Sequence, residues 1–364
     1  MTDSKSRNSS VVRNLSDALR LGPGETAYVG VDVHKATYHV AVYSAQRGLI
    51  ATWVQPASPG ALIERLGPVR GHVAEVVYEA GPTGFQLVRS LRAAGFTAQV
   101  IATSKVPTPA CPEAKCDRLD CRRLALLASK GMLHPVRVPT EQEEADRQVL
   151  RLREQLIRKC RSIQQQVKAL LLQHGVAEPD GLAHWAERAV EALRGLELLP
   201  ELRFCLDVML DELEHAVGQV QRVTKRLEEL SQAERHGAAA GAMRSVPGVG
   251  LVTAMTFRLE LAEPERFVDA GQVAKMAGLA PMVRQSGETR RAGGLIRSSS
   301  ARLRTALVEA AWRWVACDEA AKAVYRRLVG NTGSGKKAIV GVARRLGVLL
   351  WRLSTRGTPY RAAA

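Results

Sequence analysis

Five short β-rich runs in the first third of the chain constrain its fold more than any other feature. The runs are Tyr28–Val33, Tyr38–Tyr43, Leu49–Val54, Val73–Tyr78 and Ala98–Ala102. The first three follow one another closely, whereas amphipathic segments beginning near Ala61 and Phe85 separate the last three. A three-strand meander followed by alternating helices and strands predicts a mixed α/β sheet with helices on its faces.

Two long helical segments follow this region. From Thr140 to His174 the apolar residues are spaced by three, four or seven positions, which predicts one long amphipathic helix. A second helix, beginning near Leu206, has a heptad-like apolar seam of Leu210, Leu213, Val217, Val220, Leu227 and Leu230. We interpret this helix as part of a coiled-coil arm that joins two domains and pairs subunits. An ordinary core helix of a bundle fits the same seam equally well.

A glycine-containing hairpin follows the arm. The segment Val246-Pro247-Gly248-Val249-Gly250 precedes an apolar helix at Leu251–Leu259. A helix-hairpin-helix-like element of this kind, with Gly248 and Gly250 freeing backbone amides at a helix N-terminus, can hold a DNA phosphate. An ordinary helix–helix turn is the alternative. The predicted organisation is a flexible leader (1–26), an α/β domain (27–175), a helical arm (176–238) and a mostly α-helical C-terminal domain (239–364).

The charge of the chain is concentrated near its C-terminus. Of a net charge of +16, +13 lies between Arg284 and Arg361, where 17 Lys or Arg residues face four acidic ones. We find no apolar run of about 18 residues that could span a membrane and no signal peptide. Nucleic acid is therefore the predicted partner. The six cysteines lack the paired spacing of a zinc site and indicate reduced thiols in a cytoplasmic protein.

Two acidic residues stand where an apolar strand normally has none. Asp32 lies inside the first β-rich run, and Glu79 ends the fourth, just before Ala80-Gly81-Pro82. A central strand disfavours a carboxylate because the charge loses its hydration there, so a cation or hydrogen-bond donors must compensate. A strand-end cap or a solvated surface acid explains either residue alone.

A further acidic pair lies on a predicted helix. Asp117 and Asp120 are spaced i and i+3 on a segment that continues through Leu124, and this spacing puts them on one helix face. Four carboxylates from two strand positions and one helix face can bind two Mg²⁺ ions roughly 3.5 to 4 Å apart, or Mn²⁺ in their place. One ion would activate the attacking oxygen and the other would stabilise the leaving oxygen.

These segments resemble one family of bacterial transposases. The blocks around Asp32 (Gly30 to Lys35), Glu79 (Tyr78 to Gly84) and Asp117 (Lys115 to Ala125) look like the three RuvC-type blocks of the IS110 insertion-sequence family. The later blocks Ser245 to Gly250, Ala277 to Pro281, Gln285 to Gly287 and Arg302 to Arg304 follow in the family's order. The resemblance implies an RNase H/RuvC-like domain with an Asp-Glu-Asp-Asp metal site that cuts and rejoins donor and target DNA. It also implies guidance by a structured bridge RNA, a homo-oligomer in which dimers assemble to a tetramer, and a bacterial protein associated with the nucleoid.

The resemblance assigns the nucleophile to Ser286. In the family the serine at this position attacks the DNA phosphodiester and becomes covalently joined to it, whereas the bare sequence would not have selected it. Because a serine hydroxyl is a weak nucleophile at neutral pH, the metal-binding domain of the same or another subunit must help. Where the family has a Ser-Lys-x-Gly-Asn stretch, this chain reads Arg297-Ser298-Ser299-Ser300-Ala301 and is one residue shorter. The candidate nucleic-acid-binding residues besides the two hairpin glycines are Arg284, Arg290, Arg291, Arg302, Arg304, Lys336 and Lys337.

Other classes of protein fit parts of the sequence. Gly330 to Lys337 nearly spells a phosphate-binding loop, but Lys337 stands where Ser or Thr should bind magnesium, so we interpret it as a basic, flexible loop near nucleic acid. An actin-like sugar kinase would need a second phosphate-binding hairpin, which the helical C-terminal half lacks. A non-catalytic nucleic-acid-binding protein would leave the four carboxylates unexplained. A RuvC-like nuclease that hydrolyses DNA with water is the nearest rival.

Overall fold

The protein is described by a computed structural model, which covers residues 19–107, 117–286, 289–296 and 300–361. Within helices and strands, the side chains of residues 117–119, 283–286 and 289–292 are not described. The chain divides into two compact units, residues 1–139 and 140–364. The long helix that follows residue 139 packs its apolar face on helices of the second unit. The predicted domain boundaries, which place this helix with the α/β domain, stay a prediction.

The first unit contains the predicted mixed α/β sheet. Its strands are β1 (Ala27–Val33), β2 (Thr37–Ser44), β3 (Gly48–Pro56), β4 (Val73–Glu79) and β5 (Ala98–Ile101). Their order in the sheet is β3-β2-β1-β4-β5. The meander β1-β2-β3 is antiparallel, whereas β4 is parallel to β1 and β5 is parallel to β4.

Helices cover both faces of this sheet. Helix α1 (Pro59–Leu66) and helix α2 (Gln86–Ala93) bury Leu62, Leu66 and Leu91 against one face, where Val29 and Tyr78 also lie. Helix α3 (Asp117–Ser129) packs on the other face through residues such as Leu124. A flexible leader was predicted for residues 1–26. Leu19, the first described residue of this segment, is buried and packs in the core on the first face of the sheet.

The second unit begins with two long helices that pack against each other. These are α4 (Glu141–Gln173) and α6 (Pro200–Gln232), with the short helix α5 (Glu187–Arg194) between them in the chain. Thr140 caps α4 in a capping box with Glu143, which explains why the helix begins where its pattern predicts. The hydrogen bond of Arg153 to Thr224 and the ion pair of Lys159 with Glu212 show that the helices run antiparallel.

The apolar seam of α6 is therefore used within the chain. Leu206, Leu210 and Leu213 are buried together with residues of α4 and α5, whereas Val217 is 40% exposed. The bundle interpretation accounts for the buried part of the seam, and the coiled-coil pairing of subunits stays a prediction.

In the residues that the structure describes, the remainder of the second unit is mostly helical and contains one β-hairpin. The helices are α7 (Glu234–Arg244), α8 (Leu251–Leu261), α9 (Ala270–Met276), α10 (Ala301–Cys317), α11 (Glu319–Thr332) and α12 (Gly335–Arg356). Strands β6 (Pro281–Ser286) and β7 (Thr289–Leu295) form an antiparallel pair. A core of residues such as Phe257, Leu307 and Leu346 joins these helices. In the described part of the chain no helix is long and apolar enough to cross a membrane.

A buried charged cluster joins the start of α4 to α7. The Asp146 carboxylate, 5% exposed, accepts hydrogen bonds from Arg235, His236 and Gln142. Burial alone would raise the pKa of Asp146, but these three donors outweigh it and lower the pKa to about 2. Burial lowers the pKa of His236, although Asp146 opposes that effect. The cluster therefore stabilises this junction with a charged carboxylate.

The segment that nearly spells a phosphate-binding loop is an ordered turn, so the predicted flexible loop is wrong. Gly333 ends α11 in the left-handed conformation at φ +64°, and the Ser334 hydroxyl accepts a hydrogen bond from the Lys337 amide to cap α12. A C-terminal glycine followed by an N-cap serine is a common way to join two helices.

Candidate active site

Asp32 and Glu79 lie at the same edge of the sheet. Strands β1 and β4 are parallel neighbours, and their last paired residues are Val31 and Tyr78. Asp32 and Glu79 are the next residues of the two strands, and both are partly exposed. The carboxyl ends of neighbouring parallel strands thus place the two acidic residues at one edge of the sheet.

Both acidic residues are on the sheet face that α3 covers. Side chains alternate between the two faces along a strand, so Asp32 shares a face with Gly30 and Glu79 shares one with Val77. A Cβ added to Gly30 would lie 2.1 Å from the carbonyl oxygen of Cys121, and Val77 packs with Leu124 of α3. The alternation therefore directs Asp32 and Glu79 toward α3.

The acidic pair lies at the N-terminal end of α3. The buried residues of this helix, Cys121, Leu124, Ala125 and Ala128, form the stripe that contacts the sheet. Asp117 precedes Cys121 by four positions and Asp120 precedes Leu124 by four, so the helical period places both on the continuation of this stripe. The side chain of Asp117 lies outside the described residues, whereas Asp120 is partly exposed.

The Asp32 carboxylate interacts with His34 and with Cys121. His34 Nε2 lies 3.0 Å from Asp32 Oδ2, at the beginning of the turn between β1 and β2. Burial raises the pKa of the Cys121 thiol to about 11, and the Asp32 carboxylate adds to this rise. Asp32 therefore lies close to Cys121 of α3, the residue that follows Asp120 in the chain. His34 was not among the candidate residues predicted from the sequence. Its position two residues after Asp32 could have indicated this contact.

The donor chemistry of this edge fits a hard divalent cation. Asp32, Glu79 and Asp120 supply carboxylate oxygens, the ligands that Mg²⁺ and Mn²⁺ prefer. Among the side chains that the structure describes, however, no three acidic, His or Cys groups are close enough together to hold a metal ion. A complete set of ligands therefore needs Asp117, or a closer approach of Asp120 to the two strands.

Ser286 is the last residue of β6 and pairs with Thr289 across the tip of the hairpin. Arg284 pairs with Arg291, and Gln285 with Arg290, in the same ladder. The backbone positions of Ser286, Arg284, Arg290 and Arg291 thus lie near the tip of the hairpin. Their side chains lie outside the described residues, as do Ser298 and Ser299.

The base of the hairpin is tied to the helices around it. The Ile296 amide donates to the Ala280 carbonyl at 3.1 Å, and Arg304 Nη2 donates to the Ile296 carbonyl at 3.1 Å. Ser300 caps α10 by accepting from the Leu303 amide. Arg304 thus contacts the protein's own backbone through at least one of its donors.

Arg302 also contacts the protein itself. Its Nε donates to Glu154 at 2.5 Å, and its Nη1 lies 3.7 Å from Glu260. The hydrogen bond to Glu154 raises the pKa of Arg302. Arg302 is a candidate nucleic-acid contact from its sequence alone, and the sequence does not indicate its carboxylate partners because Glu154 is 148 positions away.

The remaining candidates are all exposed but differ in their contacts. Lys336 and Lys337 lie in the first turn of α12. Gly248, at φ +82°, lies so close to α10 that an added Cβ would be 2.8 Å from Trp314 N. Gly250, which precedes α8, has nothing within 4 Å of an added Cβ. Gly248 thus packs closely on α10, and the helix-hairpin-helix-like interpretation of this segment stays a prediction.

Comparisons with known proteins find transposases over most of the chain. Residues 240–326 match the family described as "Transposase IS116/IS110/IS902 family", and residues 29–176 match the DEDD transposase family of IS110 elements, described as "Transposase". A putative transposase, y4qE, of Sinorhizobium fredii is 32% identical over 91% of this chain and 83% of its own length. The transposase for insertion sequence element IS1111A of Coxiella burnetii is 24% identical over 79% of this chain and 80% of its own length.

Proposed function

This chain belongs to the IS110 family of insertion-sequence transposases, enzymes that cut and rejoin DNA, and from that premise we propose how it does so. Asp32, Glu79, Asp117 and Asp120 bind Mg²⁺, or Mn²⁺, and Ser286 attacks the DNA phosphodiester. The observation that supports the metal site best is that β1 and β4 end side by side on the face covered by α3.

Each residue has a separate part in this proposal. Bound metal ions supply Lewis-acid stabilisation of charge on the phosphate oxygens. The two strand carboxylates are held in place by the sheet, and His34 fixes the orientation of Asp32 through its hydrogen bond. Gly250 and the exposed Lys336 and Lys337 hold DNA phosphates without reading sequence.

The serine step conserves the energy of the phosphodiester. The Ser286 oxygen forms a bond to phosphorus, the bond from phosphorus to one deoxyribose oxygen breaks, and that oxygen leaves as a hydroxyl after taking up a proton. A hydroxyl of a second DNA strand can reverse the exchange, releasing Ser286 and joining the strands. A structured bridge RNA selects the donor and target strands in this proposal, and two or four copies of the chain act together.

Mapping the covalent intermediate tests the serine assignment. A reaction with Mg²⁺ and element-end DNA, stopped with denaturant, is expected to contain DNA attached to the peptide of Ser286. Ser286→Ala removes the adduct. Ser300→Ala is the matched control, because Ser300 caps α10; its loss costs about 1 kcal/mol of stability and leaves the adduct.

The outcome separates two mechanisms. Cutting that continues in Ser286→Ala without an adduct would make water the attacking group and favour a RuvC-like nuclease. An adduct mapped to Ser298 or Ser299 would keep the mechanism and move the nucleophile.

A further inference from the structure

The C-terminal helices enclose an apolar groove that the proposed chemistry does not use. It has a volume of about 580 Å³ and lies between α11, α12 and the end of the chain. Val324 and Leu328 of α11 and Val348 and Leu349 of α12 form much of its lining, to which the buried Trp314 of α10 also contributes.

The position of the groove follows from the packing of α11 on α12. Gly341, Arg345, Val348 and Arg352 are spaced by four, three and four residues, so they lie on one face of α12 and all line the groove. A Cβ on Gly341 would come 2.9 Å from Leu328 Cδ1. The two helices therefore touch closely at this point.

The end of the chain forms a fixed wall of the groove. The Tyr360 amide donates to Ser245 Oγ at 2.7 Å, and the Tyr360 hydroxyl donates to Asp318 Oδ2 at 2.9 Å. These two bonds hold Tyr360 against the end of α7 and the start of α11, and Tyr360 and the adjacent Arg361 both line the groove.

Four arginines surround this apolar surface. Arg344, Arg345, Arg352 and Arg361 are all exposed, and in the part of the chain that the structure describes none of them forms an ion pair. The nearby acids are already engaged, since Asp318 accepts from Tyr360 and Glu319 pairs with Lys322. The groove therefore suits a ligand that offers both negative charge and flat apolar surface.

We propose that this groove binds an unpaired, single-stranded segment of the DNA. A single strand offers phosphates to the arginines and base faces to the apolar lining at the same time. A duplex keeps its base faces stacked inside and would leave that lining uncovered. The family acts on DNA, so DNA is the occupant, and the proposal does not depend on the identity of the nucleophile.

Binding of a labelled oligonucleotide tests the proposal directly. The probe is a fluorescent oligothymidylate of about 12 nucleotides, within the usual site size, and the full chain is titrated with chelator present so that strand cutting plays no part. Arg345→Ala/Arg352→Ala is expected to weaken binding at least tenfold. It also lowers the slope of log affinity against log salt by about 1.4, since each phosphate contact to a single strand contributes about 0.7.

Matched variants control for total charge and for folding. Arg326→Ala/Arg327→Ala removes the same charge from exposed positions of α11 that do not line the groove, and it is expected to change affinity less than twofold. Ala320→Glu places an acid at an exposed position of the groove, whereas Ala323→Glu places one at an exposed position of α11 outside it. Only Ala320→Glu should weaken binding.

Three results would overturn the proposal. Equal losses in the two arginine pairs would indicate diffuse electrostatics. A loss confined to a matching oligouridylate would make RNA the occupant. A change of molar mass in Ala320→Glu, measured by light scattering, would identify the groove as an interface between copies of the chain.

Discussion

Gly30 of β1 lies directly beneath Cys121 of α3, so close that an added Cβ would be 2.1 Å from the Cys121 carbonyl oxygen and 2.6 Å from Ala125 N. Real Cβ contacts are never this short. Because Asp32 is two residues further along the same strand face, this close approach also brings the N-terminal end of α3 toward Asp32.

The first prediction follows from this contact. Gly30→Ala is expected to lower the free energy of unfolding by about 1 to 3 kcal/mol, the usual cost of overpacking, and to displace α3 from the sheet. DNA cutting should fall with it. Thermal unfolding and a strand-cleavage assay measure the two effects. Gly67→Ala is the control, because nothing lies within 4 Å of a Cβ at that position; an equal loss of stability there would contradict the argument.

The second prediction concerns the proposed metal ligands. Asp32→Asn, Glu79→Gln and Asp120→Asn are each expected to reduce strand cutting about a hundredfold or more, in the range found when a group that stabilises transition-state charge is removed. DNA binding and folding should persist, since each change removes a charge and little volume. Glu75→Gln is the matched control, because Glu75 lies on the same strand and by alternation on the same face. A variant that kept wild-type cutting would remove its residue from the set.

A third prediction separates arginines that bind the protein from lysines that bind DNA. Lys336→Ala/Lys337→Ala is expected to lower the salt slope of duplex binding by about 1.8, because each phosphate contact contributes about 0.9. Arg302→Ala should leave that slope unchanged and destabilise the fold instead, since it leaves Glu154 and Glu260 without their partner. A lowered slope in Arg302→Ala would restore this residue to the DNA contacts.

The fourth prediction concerns acid. The folded pKa of Asp146 is about 2 against an ordinary value of 3.8, so its stabilisation is present above pH 4 and is lost as the pH falls toward 2. The lowered pKa of His236 acts in the same direction below about pH 6.5, because the unfolded chain then binds the proton more readily.

Asp146→Asn measures this contribution. It is expected to reduce the free energy of unfolding at pH 7 by about 2 kcal/mol and to flatten the loss of stability between pH 4 and pH 2, measured by denaturant unfolding. Asp211→Asn removes a carboxylate that is 69% exposed and paired with Arg194, and should cost less than about 1 kcal/mol. Equal losses in the two variants would argue against the buried cluster.

Local patterns were sufficient to predict the strands of the first unit and the first long helix, whereas the hairpin of β6 and β7 was not predicted. The strands agree with their predicted runs to within about two residues at each end, and the long helix agrees to within one, because alternation, helical period and the Thr140 capping box are properties of adjacent residues. Which helix packs against an apolar seam depends on residues far away in the chain. The side chains of Leu210 and Leu213 pack within the chain, and the same heptad spacing would suit a second subunit.

Part of the candidate site was predictable in the same way. The strand positions of Asp32 and Glu79 follow from the pattern of apolar runs, whereas metal binding by their carboxylates stays a proposal. The partners of Arg302 are far away in the chain, and a basic segment looks the same whether its charges face solvent, DNA or Glu154. The role of Ser286 came from family resemblance, because a serine before a glycine has no chemical signature of its own.

The alternation along β1 has a consequence for insertions and deletions. Gly30 and Asp32 share a face because they are two residues apart, whereas Val29 and Val31 fill the core on the opposite face. Removing or adding one residue before Gly30 would shift every later position of the strand to the other side. A loss of one whole codon here, although it keeps the reading frame, would turn the carboxylate into the core and valines toward α3.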